Sequence, residues 1–185
     1  MKTKNFLSIL LITTALSFVS CGNNSTNSGN DVTTDPIINN TVKTSGTLSV
    51  STLTSSAGGN YAPRNIVAIW VESSSGTYVK TLLAYANTYK RYLTNWASNS
   101  GYNTTDAVTG ATVNSHATRT CSWNGTDKNG NVVGDGTYKI CMELTDKDAT
   151  GNYHEFTFTK GTSAVTFSPS NVSSFSNISI KWTPK

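Results

Sequence analysis

Ile66-Val67-Ala68-Ile69-Trp70-Val71, followed by Ser73-Ser74-Ser75-Gly76 and then Tyr78-Val79-Lys80-Thr81-Leu82-Leu83, is the stretch that decides the fold. The first run is apolar at every position and too short for a buried helix. Its β-branched and aromatic side chains suit a strand covered on both faces. The Ser-Gly cluster supplies a turn, and the second run returns across it.

The same reading extends outward in both directions. Leu48, Val50 and Leu53 alternate with Ser and Thr in a half-buried strand. Further strands are expected at Arg119 to Trp123, Thr137 to Leu144, His154 to Thr159, Ala164 to Phe167 and Ile178 to Trp182. Short strands at this spacing, with turn residues between them, predict an all-β fold, an antiparallel β-sandwich. One segment departs from period two. Tyr89, Tyr92, Leu93 and Trp96 are spaced i, i+3, i+4, i+7, which predicts a short helix. The sandwich domain is placed at residues 46–185, a length that can bury a core.

The N-terminal residues read differently. Residues 1–20 carry Lys2 and Lys4, then an apolar run from Phe6 to Val19, which is a secretory leader and too short to span a bilayer. Phe18-Val19-Ser20-Cys21 resembles a bacterial lipobox. That resemblance implies cleavage before Cys21, acylation of that residue and a lipid-anchored, extracytoplasmic protein facing the periplasm. Residues 21–45 are rich in Asn, Ser, Thr and Gly and are expected to form a disordered tether. With Lys2 and Lys4 removed, the 14 basic and 10 acidic residues of the chain leave a net charge of about +2. No basic cluster with interleaved aromatics is present, so nucleic acid is not an expected partner.

Asp106-Ala107-Val108-Thr109-Gly110-Ala111-Thr112 is the segment whose residues look chosen for chemistry. Gly110 is expected to turn the chain through positive φ. Ala111 adds little bulk, leaving the Thr112 hydroxyl open. The run resembles the flavinylation motif Asp-x-x-(Ser/Thr)-Gly-Ala-(Ser/Thr) of subunits of sodium-pumping quinone reductases and related complexes. Asp106, Thr109, Gly110, Ala111 and Thr112 match it. The resemblance implies FMN joined to Thr112 by a phosphoester, a separate flavin transferase that makes the bond, and a membrane reductase or other envelope redox protein as electron partner. The plain alternative is a surface turn before a strand.

Trp123-Asn124-Gly125-Thr126-Asp127 through Gly136-Thr137-Tyr138 resembles a hairpin of immunoglobulin-like domains in flagellar hook-capping proteins, where it is structural. Four features occur in order: the Val67 to Glu72 strand, the aromatic-basic segment Lys90 to Trp96, the Asp-Ala-Val-Thr-Gly-Ala-Thr run and the Trp-Asn-Gly turn. Together they resemble a bacterial family of predicted periplasmic proteins, the domain of unknown function 2271. That resemblance implies an immunoglobulin-like sandwich with the motif on a long loop. The wider fold elements of FMN-binding domains are not visible.

The remaining candidates follow from residue type. If the turn is centred near Asn131, Cys121 and Cys141 face each other across a ladder and can bridge in an exported protein; the alternative is two buried small residues. His116 follows Thr112 by four residues and can hydrogen-bond a flavin phosphate, or serve as a polar residue leading into a strand. Trp96 and Tyr102 can stack on a flavin ring, or cover the end of the sandwich. Two His residues without metal-ligand spacing predict no metal site. No nucleophile elbow or glycine-rich nucleotide fingerprint is present. The expected protein is an electron carrier or, alternatively, an envelope scaffold or binding module, and not a stand-alone catalyst.

Overall fold

A computed structural model describes residues 42–185. The expected leader, Cys21 and most of the expected tether lie outside the described residues. Nine strands and one short helix follow in order: β1 (Gly46–Thr54), β2 (Ile66–Ser73), β3 (Tyr78–Tyr85), α1 (Thr94–Ser100), β4 (Val108–Gly110), β5 (Thr118–Trp123), β6 (Gly136–Thr145), β7 (Asn152–Lys160), β8 (Val165–Phe167) and β9 (Phe175–Pro184). They form two sheets, β5-β1-β9-β8 and β4-β3-β2-β6-β7. Every pairing is antiparallel except β3 with β4. The sheets pack as a β-sandwich, as the strand spacing predicts.

The unbroken apolar run of β2 has a direct cause. Its inward residues Val67, Ile69 and Val71 join Leu48, Val50, Ile140, Met142 and Ile180 between the sheets. Its outward residues Ile66, Ala68 and Trp70 pack with Leu93, Trp96 and Cys141 in a second cluster. Both faces of the strand are therefore dry, and α1 supplies part of the outer cover. The fully buried Glu143 on β6 holds that helix in place. Its carboxylate accepts from the backbone N–H of Asn95 (3.2 Å) and Trp96 (2.9 Å), two of the donors a helix start leaves unpaired. The helix begins later than its periodicity predicts. Lys90–Tyr92 forms a single 3-10 turn, and the α-helix starts at Thr94. Leu93 and Trp96 are buried, whereas Tyr89 stays in solvent.

The Trp123–Tyr138 segment corrects a second expectation. It is not a hairpin: β5 pairs with β1, and β6 pairs with β2 and β7, so the loop crosses from one sheet to the other. Trp123 and Tyr138 still meet, ring centroids 5.4 Å apart, but across the sandwich. The loop is tied by Trp123 Nε1 donating to the Thr126 carbonyl (2.6 Å) and Tyr138 Oη donating to the Gly134 carbonyl (2.7 Å).

The disulfide expected between Cys121 and Cys141 is likewise absent, because it rested on that hairpin. Both thiols are free. Cys121 belongs to the core between the sheets, whereas Cys141 belongs to the outer cluster on the far side of β6. Burial pushes each thiol pKa up to about 12, so both behave as small apolar residues.

This end of the sandwich is closed by a buried ion pair. Lys160 Nζ donates to Asp135 Oδ1 at 2.6 Å and lies 5.4 Å from the Trp182 ring centroid. Asp135 also accepts from the Thr44 amide (2.8 Å) and hydroxyl (2.5 Å). Burial raises the Asp135 pKa, but the Lys160 and Thr44 hydrogen bonds outweigh it and bring the carboxyl to about 2.

Candidate functional site

The motif lies at the edge of the five-stranded sheet. Val108, Thr109 and Gly110 pair in parallel with Leu83, Ala84 and Tyr85. The expected open loop is therefore partly a strand. Two of its residues play roles other than those the sequence suggests. Positive φ falls on Asp106 (58°), and Gly110 is absent from the positive-φ residues. Gly110 is needed for space instead, because a Cβ there would lie 2.8 Å from Cδ1 of Tyr85. Its carbonyl accepts from the amides of Ala86 (3.2 Å) and Asn87 (3.4 Å). Asp106 is the motif's anchor. Its carboxylate takes a 3.1 Å ion pair from Lys80 on β3, whose buried ammonium also donates to Thr126 Oγ1 at 3.3 Å.

Beyond the strand the chain turns inward. Val113 exchanges backbone hydrogen bonds with Asn65, at 2.8 and 3.0 Å, just before β2. That bridge draws Thr112 against a cleft lined by Tyr61, Arg64, Asn65, Tyr89, Arg91 and Tyr92. The cleft has about 200 Å³ of accessible space, less than the ~300–1,000 Å³ usual for small-ligand sites. Its lining is tyrosine-rich and mixed in charge, with Arg64, Arg91 and Lys147 beside Asp146 and Asp148. The Arg64 guanidinium sits 5.2 Å from the Tyr61 centroid, and that of Arg91 sits 4.5 Å from the Tyr92 centroid. Neither arginine is in an ion pair among the described residues. The nearest acids are committed: Asp146 accepts from Ser56 Oγ and the amides of Ala57 and Gly59, and Asp148 accepts from Tyr61 Oη at 2.7 Å.

The other side of the motif is different. Thr109, Gly110 and Ala111 line a separate pocket with Lys90, Trp96 and Tyr102. Trp96 offers no ring face there. It is 1 % exposed, its Nε1 donates to Thr81 Oγ1 at 3.0 Å, and Tyr102 packs against it edge-on at 5.7 Å. This aromatic is core, as the plain reading of the helix had it. Tyr102 is accessible, with Lys90 Nζ 4.9 Å above its ring.

Polar satisfaction sets this region apart. Among the described residues four buried side-chain atoms lack a hydrogen-bond partner: Asn65 Oδ1, Thr112 Oγ1, His116 Nε2 and Arg119 Nε. All belong to the Asn65–Val113 bridge or the segment that follows it. Native interiors leave few such atoms, so a cluster asks for a missing partner. The expected open hydroxyl of Thr112 is in fact buried. Asn65 Nδ2 donates to the Pro63 carbonyl at 2.8 Å and lies 3.4 Å from His116 Nδ1, a contact compatible with the neutral tautomer that carries its hydrogen on Nε2. Burial lowers the His116 pKa, which favours this neutral form. His116 Nε2 and Asn65 Oδ1 are therefore both left with unused hydrogen-bonding capacity.

One further cluster was invisible in the sequence. The β-ladder register brings Glu72, Cys141 and Glu155 together, with one ligand-type atom each inside 4.8 Å. These groups are already engaged: Glu72 accepts from Trp70 Nε1 (2.6 Å), and Glu155 accepts from Lys139 (2.9 Å) and Tyr153 (3.2 Å).

The family model for predicted periplasmic proteins, domain of unknown function 2271, matches residues 47–172. The chain belongs to this family. The match runs from β1 past β8, so it contains the motif, the cleft and the outer cluster in one unit. The family's periplasmic description agrees with the extracytoplasmic location expected from the sequence. No curated protein and no solved structure matches the chain.

Proposed function

We propose that this member of the family carries FMN covalently on Thr112 and passes electrons between a membrane reductase and another envelope redox protein. The observation that carries the reading is the placement of the motif. Asp106, Thr109 and Gly110 fix the segment to the sheet edge, and Thr112 is delivered to a cleft with two guanidiniums outside any ion pair among the described residues, that of Arg91 donating to Tyr92 Oη at 2.9 Å. A phosphoester there would meet Arg64 and Arg91, the residue type best suited to phosphate. The orphaned Thr112 oxygen supports the same reading, since esterification removes a buried hydroxyl that has no partner.

Attachment requires a separate flavin transferase with a flavin dinucleotide as donor. The Thr112 Oγ–P bond forms as the donor's pyrophosphate bond breaks, a nucleoside monophosphate leaves, and the hydroxyl proton passes to a base of the transferase. Because the hydroxyl is buried, the segment 111–116 must open, against the Asn65–Val113 bridge and the Arg119–Ser115 bond (2.7 Å). Flavin, once bound, supplies one- and two-electron chemistry. The chain's residues hold the phosphate, cover the ring and set its distance from partners. A lipid anchor at Cys21 would keep this carrier at the membrane.

The test is an intact mass of the full chain co-expressed with a periplasmic flavin transferase. A gain of one FMN unit, absent in Thr112→Ala, is expected. No gain, with the transferase active on a control substrate, overturns the assignment. It would favour the second reading, an envelope binding module or scaffold, which the burial of the Thr112 hydroxyl supports.

A further inference from the structure

We propose that the FMN site spans the motif: Arg64 and Arg91 hold the phosphate in the cleft, and the trough on the other side of Ala111, beside Tyr102 and Lys90, receives the ring. The inference rests on FMN attachment at Thr112 and adds where the rest of the cofactor lies. Space decides first. The cleft has about 200 Å³ of accessible space, which suits a phosphate and leaves no room for a fused ring system beside it. The trough has about 360 Å³ by the same measure, within the ~300–1,000 Å³ usual for small-ligand sites. The two adjoin without sharing a lining residue. Ala111 lines the trough and Thr112 the cleft, while Lys90 lines the trough and its neighbours Tyr89 and Arg91 the cleft.

Chemistry decides next. No acid lines the trough, whereas Asp146 and Asp148 line the cleft. Reduction adds negative charge to a flavin ring, so carboxylates beside it oppose electron uptake and an ammonium favours it. Lys90 supplies that ammonium: it is in no ion pair among the described residues, and its Nζ sits 4.9 Å from the Tyr102 centroid. Ala84, Ala86, Gly110 and Ala111 add nothing larger than a methyl group to the lining, which leaves width for a planar group. Tyr102 is 39 % exposed and braced edge-on by Trp96 at 5.7 Å, so its ring is positioned before a ligand arrives. The exposed Asn87 amide and the Thr104 and Thr109 hydroxyls offer donors and acceptors to a polar ring edge.

The experiment compares the full chain with and without loading by a flavin transferase, purified in detergent, with intact mass read on each sample. Hydroxyl-radical footprinting then reports which rings the cofactor covers. Tyr61, Tyr89 and Tyr102 start from similar exposure, 42, 37 and 39 %. Loading should protect Tyr102 several-fold and change Tyr61 and Tyr89 far less. Lys90→Gln should keep the FMN mass and the melting curve and lower the midpoint potential of the flavin. Lys147→Gln, the same loss of charge at the cleft, should leave the potential unchanged. Protection that is equal or greater at Tyr61 and Tyr89, or absent at all three, overturns the inference and leaves attachment standing. A potential that does not respond to Lys90→Gln does the same. No mass gain in the unsubstituted chain removes attachment and the inference together.

Discussion

The two ends of this sandwich handle buried polarity in opposite ways. Around Asp135 each charge has a partner: Lys160, the Thr44 amide and the Thr44 hydroxyl converge on one carboxylate under Trp182. Around Thr112 four polar atoms are buried with none. Both regions are enclosed, so burial alone does not separate them. The paired end is built for persistence, and the unpaired end keeps hydrogen-bonding capacity in reserve. An unpaired buried group costs ~1–3 kcal/mol, a cost that a ligand can lift and a hydrophobic substitution can reveal.

Breaking the paired end should give the largest effect. Asp135→Ala strands the fully buried Lys160 ammonium and should cost ~3–5 kcal/mol, read as a shift in the urea midpoint. The carboxyl pKa is depressed in the folded state to about 2. Its contribution is therefore complete above the unfolded value of ~3.9 and is lost as pH falls toward about 2. Acid unfolding of the unsubstituted chain should steepen through that window, and Asp135→Asn should flatten it.

Next comes the motif strand. Gly110→Ala places a Cβ 2.8 Å from the Tyr85 ring and should cost ~1–3 kcal/mol. Faster hydrogen exchange at the Ala86 and Asn87 amides, which bond to the Gly110 carbonyl, would locate the loss. Thr112→Val sharpens the comparison by its sign. In the unmodified chain it removes a partnerless hydroxyl at constant shape, so the stability read from a thermal melt should hold or rise, by up to ~1 kcal/mol. A clear fall would mean that the hydroxyl has a partner after all. Asp106→Asn should do least, about 1 kcal/mol or less in thermal melts, because its carboxylate is 71 % exposed.

The sandwich was legible because strand periodicity is a local property. β1 alternates, β2 is apolar from Ile66 to Val71, and the strands other than β4 appear where their patterns put them. Pairing was not legible. Asn124-Gly125 and Asp127 to Gly130 look like hairpin turns, and a local Thr126–Val132 bridge does form, yet the flanking strands belong to different sheets. The proposed Cys121–Cys141 bridge failed for that reason. The motif residues were visible, but their geometry was not. Lys80 pairs with Asp106 from 26 positions away, and the cleft is assembled from Tyr61, Arg64 and Arg91, none of which carries a signature.

The route by which the chain enters the domain has a mechanical consequence. Val42 accepts from the Asp135 amide (2.7 Å), Thr44 is gripped by the same residue, and Ser45 accepts from the Lys185 amide (2.9 Å). β1 then runs along the middle of its sheet, antiparallel to β5 and β9 over most of its length. A pull applied at Val42 first meets the Asp135 clasp and then loads both ladders lengthwise. Hydrogen bonds sheared together in this way resist force far better than bonds peeled one at a time. The domain is thus wired to bear tension at its N-terminal end, while the three-residue β4 at the opposite sheet edge can yield without passing strain to the core.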